Sequence, residues 1–265
     1  MEFEKMILEK EAGVATLTLN NPEKLNAMTA EMWRDLRLVI DTISKDEDIK
    51  VIIITGADPA FCSGSDVSGR LGARFSGQTI KKSHKELLEP VGYVAYLIHT
   101  LDTPIIAAVN GTAAGAGLSL ALLCDIRIAS EKARFSAIWV KVGLIGDLGA
   151  TYYLPRIVGH SKALELFTTG NMINANEAER IGLLNKVVPP DKLIPAVKKI
   201  AIEIAKGPTA AIKLMKRAVY KGIHNDLSAQ LDFESYAKNV CCNTEDHKEV
   251  IKAFIEKREP QFKGI

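Results

Sequence analysis

Asp147 is the side chain in this sequence best suited to acid–base chemistry, and Trp139 precedes it by eight positions. It is the only acidic residue in the segment FSAIWVKVGLIGDLGATYYLPRIVG. The preceding stretch, AAVNGTAAGAGLSLALLCD, predicts a strand, a Gly-rich turn and a helix. Backbone N–H groups at such a turn can stabilise a developing oxyanion, and one carboxylate can move one proton. Together the two features predict proton transfer rather than addition of water.

Both Asp147 and Trp139 also have plainer interpretations. Asp147 can be the N-cap of a helix that begins near LGATYYL, since Asp is a common N-cap residue. Trp139 can be core packing beside a strand, or the wall of a pocket for a planar group. The apolar neighbours Ile145 and Leu148 predict a poorly solvated carboxylate, which suits a base that also returns its proton.

Two Gly-rich strand ends are candidates for binding one oxygen atom. The turn NGTAAGAGLS contains Gly111, Gly115 and Gly117, and it lacks the dinucleotide-binding pattern because position 120 is Leu. These glycines can also serve only close helix packing. A second loop, AFCSGSD, follows the strand VIIITG and offers the amides of Ser63 to Ser65. We expect Asp66 to cap the amides that follow it.

The elements around these loops predict an α/β fold. Alternation predicts a hairpin from KMILEKE and VATLTLN with its turn near Gly13, and a helix follows from about Thr29. The apolar runs VIIITG and IIAAVNG predict strands buried on both faces. From Pro189 onward the pattern is helical. We expect a core domain over 1–195, a helical oligomerisation region over 196–265, and a long binding loop between Ser63 and Lys85.

Composition excludes several functional classes. The 265 residues are 47% hydrophobic and 25% charged, which suits one main domain with a helical extension. The 34 basic and 32 acidic residues are interspersed and give a net charge of +2, so no nucleic-acid partner is expected. No apolar run approaches the roughly 20 residues of a membrane span, which predicts a cytoplasmic protein. The four cysteines lack metal-site spacing, and no metal is expected.

The ordered motifs resemble those of the enoyl-CoA hydratase/isomerase (crotonase) superfamily from end to end. The resemblance rests on LNNPEKLNAM, TGADPAFCSGSD, PIIAAVNGTAAGAGLSLALLCDIRIAS, VGLIGDLGATYYLPRIVG, ERIGLLNKVVP and FIEKREPQFKG. It implies a spiral of ββα units, C-terminal helices that pack in a homotrimer or a dimer of trimers, and an acyl-CoA thioester held by the amides of Ser65 and Ala116. Coenzyme A is then part of the substrate, and no separate cofactor is implied. The resemblance implies these substrate-binding residues: Lys24, Leu25, Ala27, Ser63, Asp66, Val67, Ser68, Gly115, Trp139 and Lys257.

The sequence departs from the hydratases of this family at two positions. Their paired glutamates correspond here to Ser119 and Trp139, neither of which can act as a general base. Asp147 falls where isomerases of the family carry Asp. The run VKVGLIGDLGATYYLPR resembles the phenylacetate-pathway isomerase of the family that acts on ring-epoxidised phenylacetyl-CoA.

The sequence therefore predicts an acyl-CoA isomerase that shifts a double bond through Asp147, on an enoyl or ring-bearing thioester. Three alternatives stay open. The first is a hydratase in which Asp147 alone positions water. The second is an aryl-CoA dehalogenase, whose His base would fall near Gly92 and Tyr93, out of register with His84 and His99. The third is a non-catalytic acyl-CoA-binding subunit that supports a hydratase partner. The remaining residues His160, His224 and His247 are predicted to be solitary surface side chains.

Overall fold

The chain forms two β-sheets, and successive strands from the third to the eighth alternate between them. The structure is a computed structural model and describes residues 3–66 and 91–264. The strands are β1 (Met6–Glu11), β2 (Val14–Leu19), β3 (Val51–Gly56), β4 (Ala60–Cys62), β5 (Ile105–Val109), β6 (Thr112–Ala114), β7 (Ile126–Ser130), β8 (Arg134–Ser136), β9 (Met172–Asn174) and β10 (Lys186–Val188). The larger sheet has the order β1-β2-β3-β5-β7-β10, and the smaller one has the order β4-β6-β8-β9.

Successive strand pairs connect the sheets and confirm the predicted spiral. β3, β5 and β7 lie side by side and parallel in the larger sheet. Each is followed at once by a short strand, β4, β6 or β8, and these three are parallel neighbours in the smaller sheet. The ends of β4 and β6 consequently meet at one edge, which brings the two Gly-rich loops together.

The helices fill the space around the sheets. They are α1 (Ala30–Ile43), α2 (Val91–Thr100), α3 (Ala116–Leu123), α4 (Ala150–Val158), α5 (His160–Thr169), α6 (Ala175–Arg180), α7 (Leu193–Ala205), α8 (Thr209–Gly222), α9 (Leu227–Cys242) and α10 (Glu245–Glu256). Thr29 is the N-cap of α1 and accepts a hydrogen bond from Met32 N, as the sequence predicts. Within the described parts of the chain, no helix is both long enough and apolar enough to cross a membrane.

The β-branched residues of strand β3 are fully buried because the strand is covered on both faces. Ile52 and Ile54 belong to the main core cluster between the sheets. Val51 and Ile53 point the other way, into a second cluster formed with α7. Side chains alternate between the faces of a strand, so a strand covered on both faces needs no polar positions.

The helix α7 lies across the expected domain boundary between residues 195 and 196. Its residues Leu193, Val197 and Ala201 are spaced four apart and belong to the buried cluster under the larger sheet. The helix therefore packs on the core on both sides of that boundary. The helices α8, α9 and α10 follow it.

The side chain of Asp125 joins α8 to the core. It accepts hydrogen bonds from Lys216 Nζ at 2.8 Å and Tyr220 Oη at 2.8 Å, and also from the backbone N–H of Ile105 at 2.7 Å. The Lys216 side chain is only 9% exposed, so this is a largely buried ion pair whose charges need these partners.

Candidate active site

The loops after β4 and β6 approach each other more closely than side chains would allow. A Cβ added to Gly117 would lie 2.0 Å from the carbonyl oxygen of Cys62. Gly64 has φ of +120°, and a Cβ there would lie 3.2 Å from the carbonyl oxygen of Ala114 and 3.9 Å from Ala116 N. Glycine is required at position 117 because a side chain would force the loops apart, and it is favoured at position 64 because other residues rarely adopt that φ.

The amides of Ser65 and Ala116 belong to these two loops. A short parallel bridge holds the first loop, in which Met28 N donates to Gly64 O at 2.8 Å and Asp66 N donates to Met28 O at 2.9 Å. Ala116 begins α3, where N–H groups have no acceptor inside the helix. Among residues 3–66 and 91–264, neither the Ser65 amide nor the Ala116 amide has a hydrogen-bond acceptor. Both groups can bind an external oxygen.

Trp139 and Ser119 both contact Asp147. The indole Nε1 of Trp139 donates to Asp147 Oδ1 at 3.2 Å. The hydroxyl of Ser119 donates to the backbone carbonyl of Asp147 at 3.0 Å. Trp139 is 5% exposed and its ring packs against Phe167, with centroids 6.0 Å apart. Trp139 is therefore core packing, as one of its two interpretations predicts, and its N–H also contacts the Asp147 carboxylate. Its role as the wall of a substrate pocket stays a prediction.

Two expectations about Asp147 are wrong. The N-cap of α4 is Gly149, with no side-chain cap, so Asp147 is not the cap of that helix. Asp147 is also exposed in the single chain rather than poorly solvated. Of its two apolar neighbours, Leu148 is buried and Ile145 is 79% exposed.

The residues implied for coenzyme A gather beside the first loop. Ser63 N donates to Leu25 O at 3.0 Å, and Ser63 Oγ donates to Lys24 O at 3.2 Å. Lys24 Nζ forms an ion pair with Asp66 at 2.7 Å and is half exposed. Ala27 follows in the same segment, and its carbonyl accepts from Asn21 Nδ2.

Not all of the remaining predicted site residues lie beside these two loops. The Asp66 side chain forms an ion pair with Lys24. The backbone amides that it was expected to cap follow residue 66 and lie outside the described residues. Val67, Ser68, His84 and most of the expected binding loop lie outside the described residues. Gly115 is the N-cap of α3, beside the Ala116 amide. Lys257 is exposed at the end of α10, so its contact with a neighbouring subunit's ligand stays a prediction.

Sequence reasoning missed two histidine–tyrosine pairs. His99 Nδ1 lies 2.5 Å from the hydroxyl of Tyr153, and His224 Nε2 lies 2.5 Å from the hydroxyl of Tyr152. The prediction that His224 is solitary is wrong. The paired residues are 54 and 72 positions apart, so no local pattern could have indicated them.

The dehalogenase alternative and the expectation on metals concern separate parts of the chain. Gly92 and Tyr93 stand where that base would fall, and the Tyr93 ring lies 4.7 Å from the Arg37 guanidinium. In the part of the chain that the structure describes, no group of three His, Cys, Asp or Glu side chains is arranged to hold a metal ion.

Known proteins are similar to this chain in both sequence and fold. The family model for enoyl-CoA hydratase/isomerase matches residues 9–265. A short-chain-enoyl-CoA hydratase of Clostridium acetobutylicum is 40% identical over 259 residues, covering 97% of each chain. A 1,2-epoxyphenylacetyl-CoA isomerase of Escherichia coli is 36% identical over 269 residues, covering 100% of this chain and 99% of the relative.

The structural comparison agrees with the sequence comparison. A putative enoyl-CoA hydratase from Streptomyces coelicolor A3(2) superposes with a TM-score of 0.92 at 35% identity, covering 100% of this chain and 96% of that one. The alternating sheets are those of the crotonase fold. The chain is therefore an enzyme of the enoyl-CoA hydratase/isomerase family.

Proposed function

We propose that this enzyme is an acyl-CoA isomerase in which Asp147 is the acid–base group. The observation that carries the proposal is the hydrogen bond from Trp139 Nε1 to Asp147 Oδ1, which fixes one carboxylate beside the Ser119 face of α3. Positions 119 and 139 hold no second carboxylate. A single carboxylate that takes and returns one proton is sufficient for a double-bond shift.

The proposed reaction proceeds through an enolate. The amides of Ser65 and Ala116 donate to the thioester oxygen and lower the free energy of the enolate. Asp147 removes a proton from the α-carbon, and the electron pair of that C–H bond delocalises toward the thioester oxygen. The protonated Asp147 then delivers the same proton two carbons away, while the double bond moves into conjugation with the carbonyl. No atom is gained or lost.

Hydration is the second candidate function, and two observations favour it. Asp147 is exposed, so water can reach the carboxylate. Several of the similar proteins are named hydratases, among them the relative from Clostridium acetobutylicum. A hydratase would need Asp147 alone to position water, without the paired carboxylates of other family members.

Isotope exchange separates the two functions. We expect purified enzyme in deuterium oxide to place deuterium on the α-carbon of saturated acyl-CoA thioesters and to convert 3-enoyl-CoA into 2-enoyl-CoA, as measured by mass spectrometry and ultraviolet absorbance. The enolate mechanism requires both results. Hydration of crotonyl-CoA that is much faster than either process would contradict the isomerase assignment, and so would the absence of exchange.

We expect Trp139→Phe to move the acidic limb of the pH–rate profile to higher pH and to lower kcat/KM by about tenfold. The indole N–H donates to the carboxylate, and a hydrogen bond to the charged form favours that form. Phenylalanine keeps an aromatic ring but has no donor. The measurement is the pH dependence of α-deuterium exchange.

Trp33→Phe is the matched control for this change. Trp33 is buried, and its Nε1 has no hydrogen-bond partner in the described structure. Its replacement should leave the pH–rate profile where it is in the wild type. A Trp139→Phe enzyme with an unshifted profile would show that Trp139 is core packing only.

We also propose that the chain assembles as a homotrimer or a dimer of trimers. The helices α9 and α10 expose large apolar side chains in the single chain, including Leu227 at 75%, Phe254 at 84% and Ile255 at 74%. Contiguous exposed apolar surface is typical of an interface. Such packing would also let Lys257 reach the coenzyme A of a neighbouring subunit.

A further inference from the structure

The side chain of Asn26 is a fully buried polar group that touches neither Asp147 nor Trp139. Asn26 is 0% exposed and has φ of +56°, a left-handed conformation that Asn adopts more readily than most residues. Its Nδ2 donates to Ala60 O at 2.6 Å and to Ala57 O at 2.7 Å. Its Oδ1 accepts from the backbone N–H of residue 21 at 2.9 Å. The nitrogen and the oxygen of this carboxamide therefore both have partners.

The surroundings of Asn26 accept its carboxamide in one orientation only. Two carbonyl oxygens face the nitrogen and one N–H faces the oxygen, so a flipped amide would lose all three hydrogen bonds. Gly56 leaves the space that the carboxamide occupies, since a Cβ there would lie 2.7 Å from Asn26 Nδ2. The carboxamide thus ties the segment after β2 to both ends of the connection between β3 and β4.

The segment that Asn26 anchors also holds the loop that carries the Ser65 amide. Two residues beyond Asn26, Met28 N donates to Gly64 O at 2.8 Å. On the other side of Asn26, Leu25 O accepts a hydrogen bond from the backbone N–H of residue 63 at 3.0 Å. Backbone hydrogen bonds on both sides of one anchored residue therefore fix the position of this loop.

The hydrogen bond from Met28 sets the direction of the Ser65 amide. Gly64 O and Ser65 N–H belong to the same peptide group, which is planar and trans, so they point in opposite directions. A donor that fixes Gly64 O therefore also fixes where Ser65 N–H points. The same donor polarises the peptide group, which makes Ser65 N–H a stronger donor in turn.

We propose that Asn26 is a positioning residue that orients the Ser65 amide through Met28. The inference rests on the proposed use of the Ser65 and Ala116 amides as oxyanion donors. Without the carboxamide, the segment loses its ties to the connection between β3 and β4, and Met28 N–H no longer holds the peptide group in one plane. One of the two oxyanion donors then loses its alignment with the thioester oxygen.

Infrared difference spectroscopy of the bound thioester carbonyl tests this role directly. Butanoyl-CoA labelled with carbon-13 at that carbonyl is bound to Asp147→Asn enzyme, which blocks the proposed proton transfer. Hydrogen bonds to a carbonyl oxygen weaken the C=O bond and lower its stretching frequency. We expect a lowered frequency in this parent enzyme. Adding Asn26→Gly should remove roughly half of the shift, because one of two donors is misaligned while glycine keeps the left-handed backbone.

Turnover provides a second measurement in enzyme that retains Asp147. Asn26→Gly should lower kcat for α-deuterium exchange by roughly 10- to 100-fold, less than the loss of a whole oxyanion donor. The effect should be non-additive with that of Gly117→Ala, since both substitutions disturb the same pair of amides. The acidic limb of the pH–rate profile should stay in place, because the contact between Asp147 and Trp139 is unchanged.

Gln230→Ala is the matched control, because Gln230 is a carboxamide with the same kinds of partner. Its Nε2 donates to Ala218 O at 3.1 Å, and its Oε1 accepts from Asn225 Nδ2 at 3.0 Å. These contacts join α8 to α9 and do not involve the two loops. Gln230→Ala should leave the carbonyl frequency and the exchange rate unchanged, and the thermal midpoints of both variants report any loss of stability.

The outcomes distinguish the inference from the proposed function. If Asn26→Gly leaves the lowered frequency or kcat unchanged, Asn26 is not a positioning residue. If the frequency is not lowered in the Asp147→Asn parent, the proposed oxyanion site is wrong and the inference fails with it. If the shift depends on Asn26 but the wild type shows no exchange, the proposed reaction is wrong and the positioning role is supported.

Asn21→Ala provides the same test if the Asn26→Gly protein does not fold. It removes only the hydrogen bond from Asn21 Nδ2 to Ala27 O at 3.1 Å, in the same anchored segment, and leaves the Asn21 backbone N–H on Asn26 Oδ1. We expect a smaller loss of the same frequency shift. An unchanged shift in this variant would overturn the inference.

Discussion

Asp147→Asn is expected to abolish double-bond migration and α-deuterium exchange, lowering kcat by roughly 10²- to 10⁴-fold, the usual contribution of a positioned acid–base group. The amide oxygen of Asn can still accept the hydrogen bond from Trp139 Nε1, so the local packing should persist. The substitution removes only the ability of this side chain to take up and return a proton. The measurement is single-turnover exchange in deuterium oxide, followed by mass spectrometry.

Asp191→Asn is the control for this substitution. The Asp191 side chain is 71% exposed, lies near the start of α7 and pairs only with the neighbouring Lys192 among the interactions described. Its replacement should leave exchange unchanged within about twofold. If the Asp147→Asn enzyme exchanges the α-proton as fast as the wild type, another group is the base and the proposed mechanism is wrong.

Gly117→Ala is expected to lower kcat by roughly 10²- to 10³-fold, the range observed when one oxyanion donor is lost. The added methyl group would lie 2.0 Å from Cys62 O and 2.7 Å from Cys62 C, which are backbone atoms of β4 that cannot rotate away. The first turn of α3 and the end of β4 must then separate, and the amides of Ser65 and Ala116 no longer converge on one oxygen.

Gly222→Ala is the matched glycine control. A Cβ at Gly222 would meet its nearest neighbour, the Gln230 side chain, at an ordinary distance of 3.5 Å. This variant should exchange protons like the wild type. Circular dichroism and the thermal midpoint would show whether the Gly117→Ala protein is folded. A folded Gly117→Ala enzyme with full turnover would contradict the assignment of the oxyanion site to this loop pair.

The exposure of Asp147 means that burial is not what prepares this carboxylate for proton transfer. A carboxylate in contact with water keeps its solvation, so its alignment by Trp139 must contribute more than its burial does. The same exposure gives water a route to the acyl group. If the proposed reaction holds, we expect substitutions of Ile145, the exposed neighbour of Asp147, to change the ratio of isomerisation to hydration.

Much of the fold could be predicted from the sequence because its signals are local. The run Val51–Gly56 predicts a doubly covered strand because β-branched residues fill both faces of a pleat, and both faces are indeed buried. Thr29 predicts the start of α1 because its hydroxyl can accept from the N–H three residues later. The order of the loop motifs indicates the family, and therefore the spiral of paired strands.

Only the tertiary structure decided which distant side chains the candidate site residues contact. The partners Lys24 and Asp66 are 42 positions apart, and those of the histidine–tyrosine pairs are further still. Periodicity states which face of an element is buried, but it carries no information on which distant side chain lies opposite. For the same reason the apolar neighbours of Asp147 wrongly predicted its burial, since exposure depends on what packs over a residue and not on which residues adjoin it in the chain.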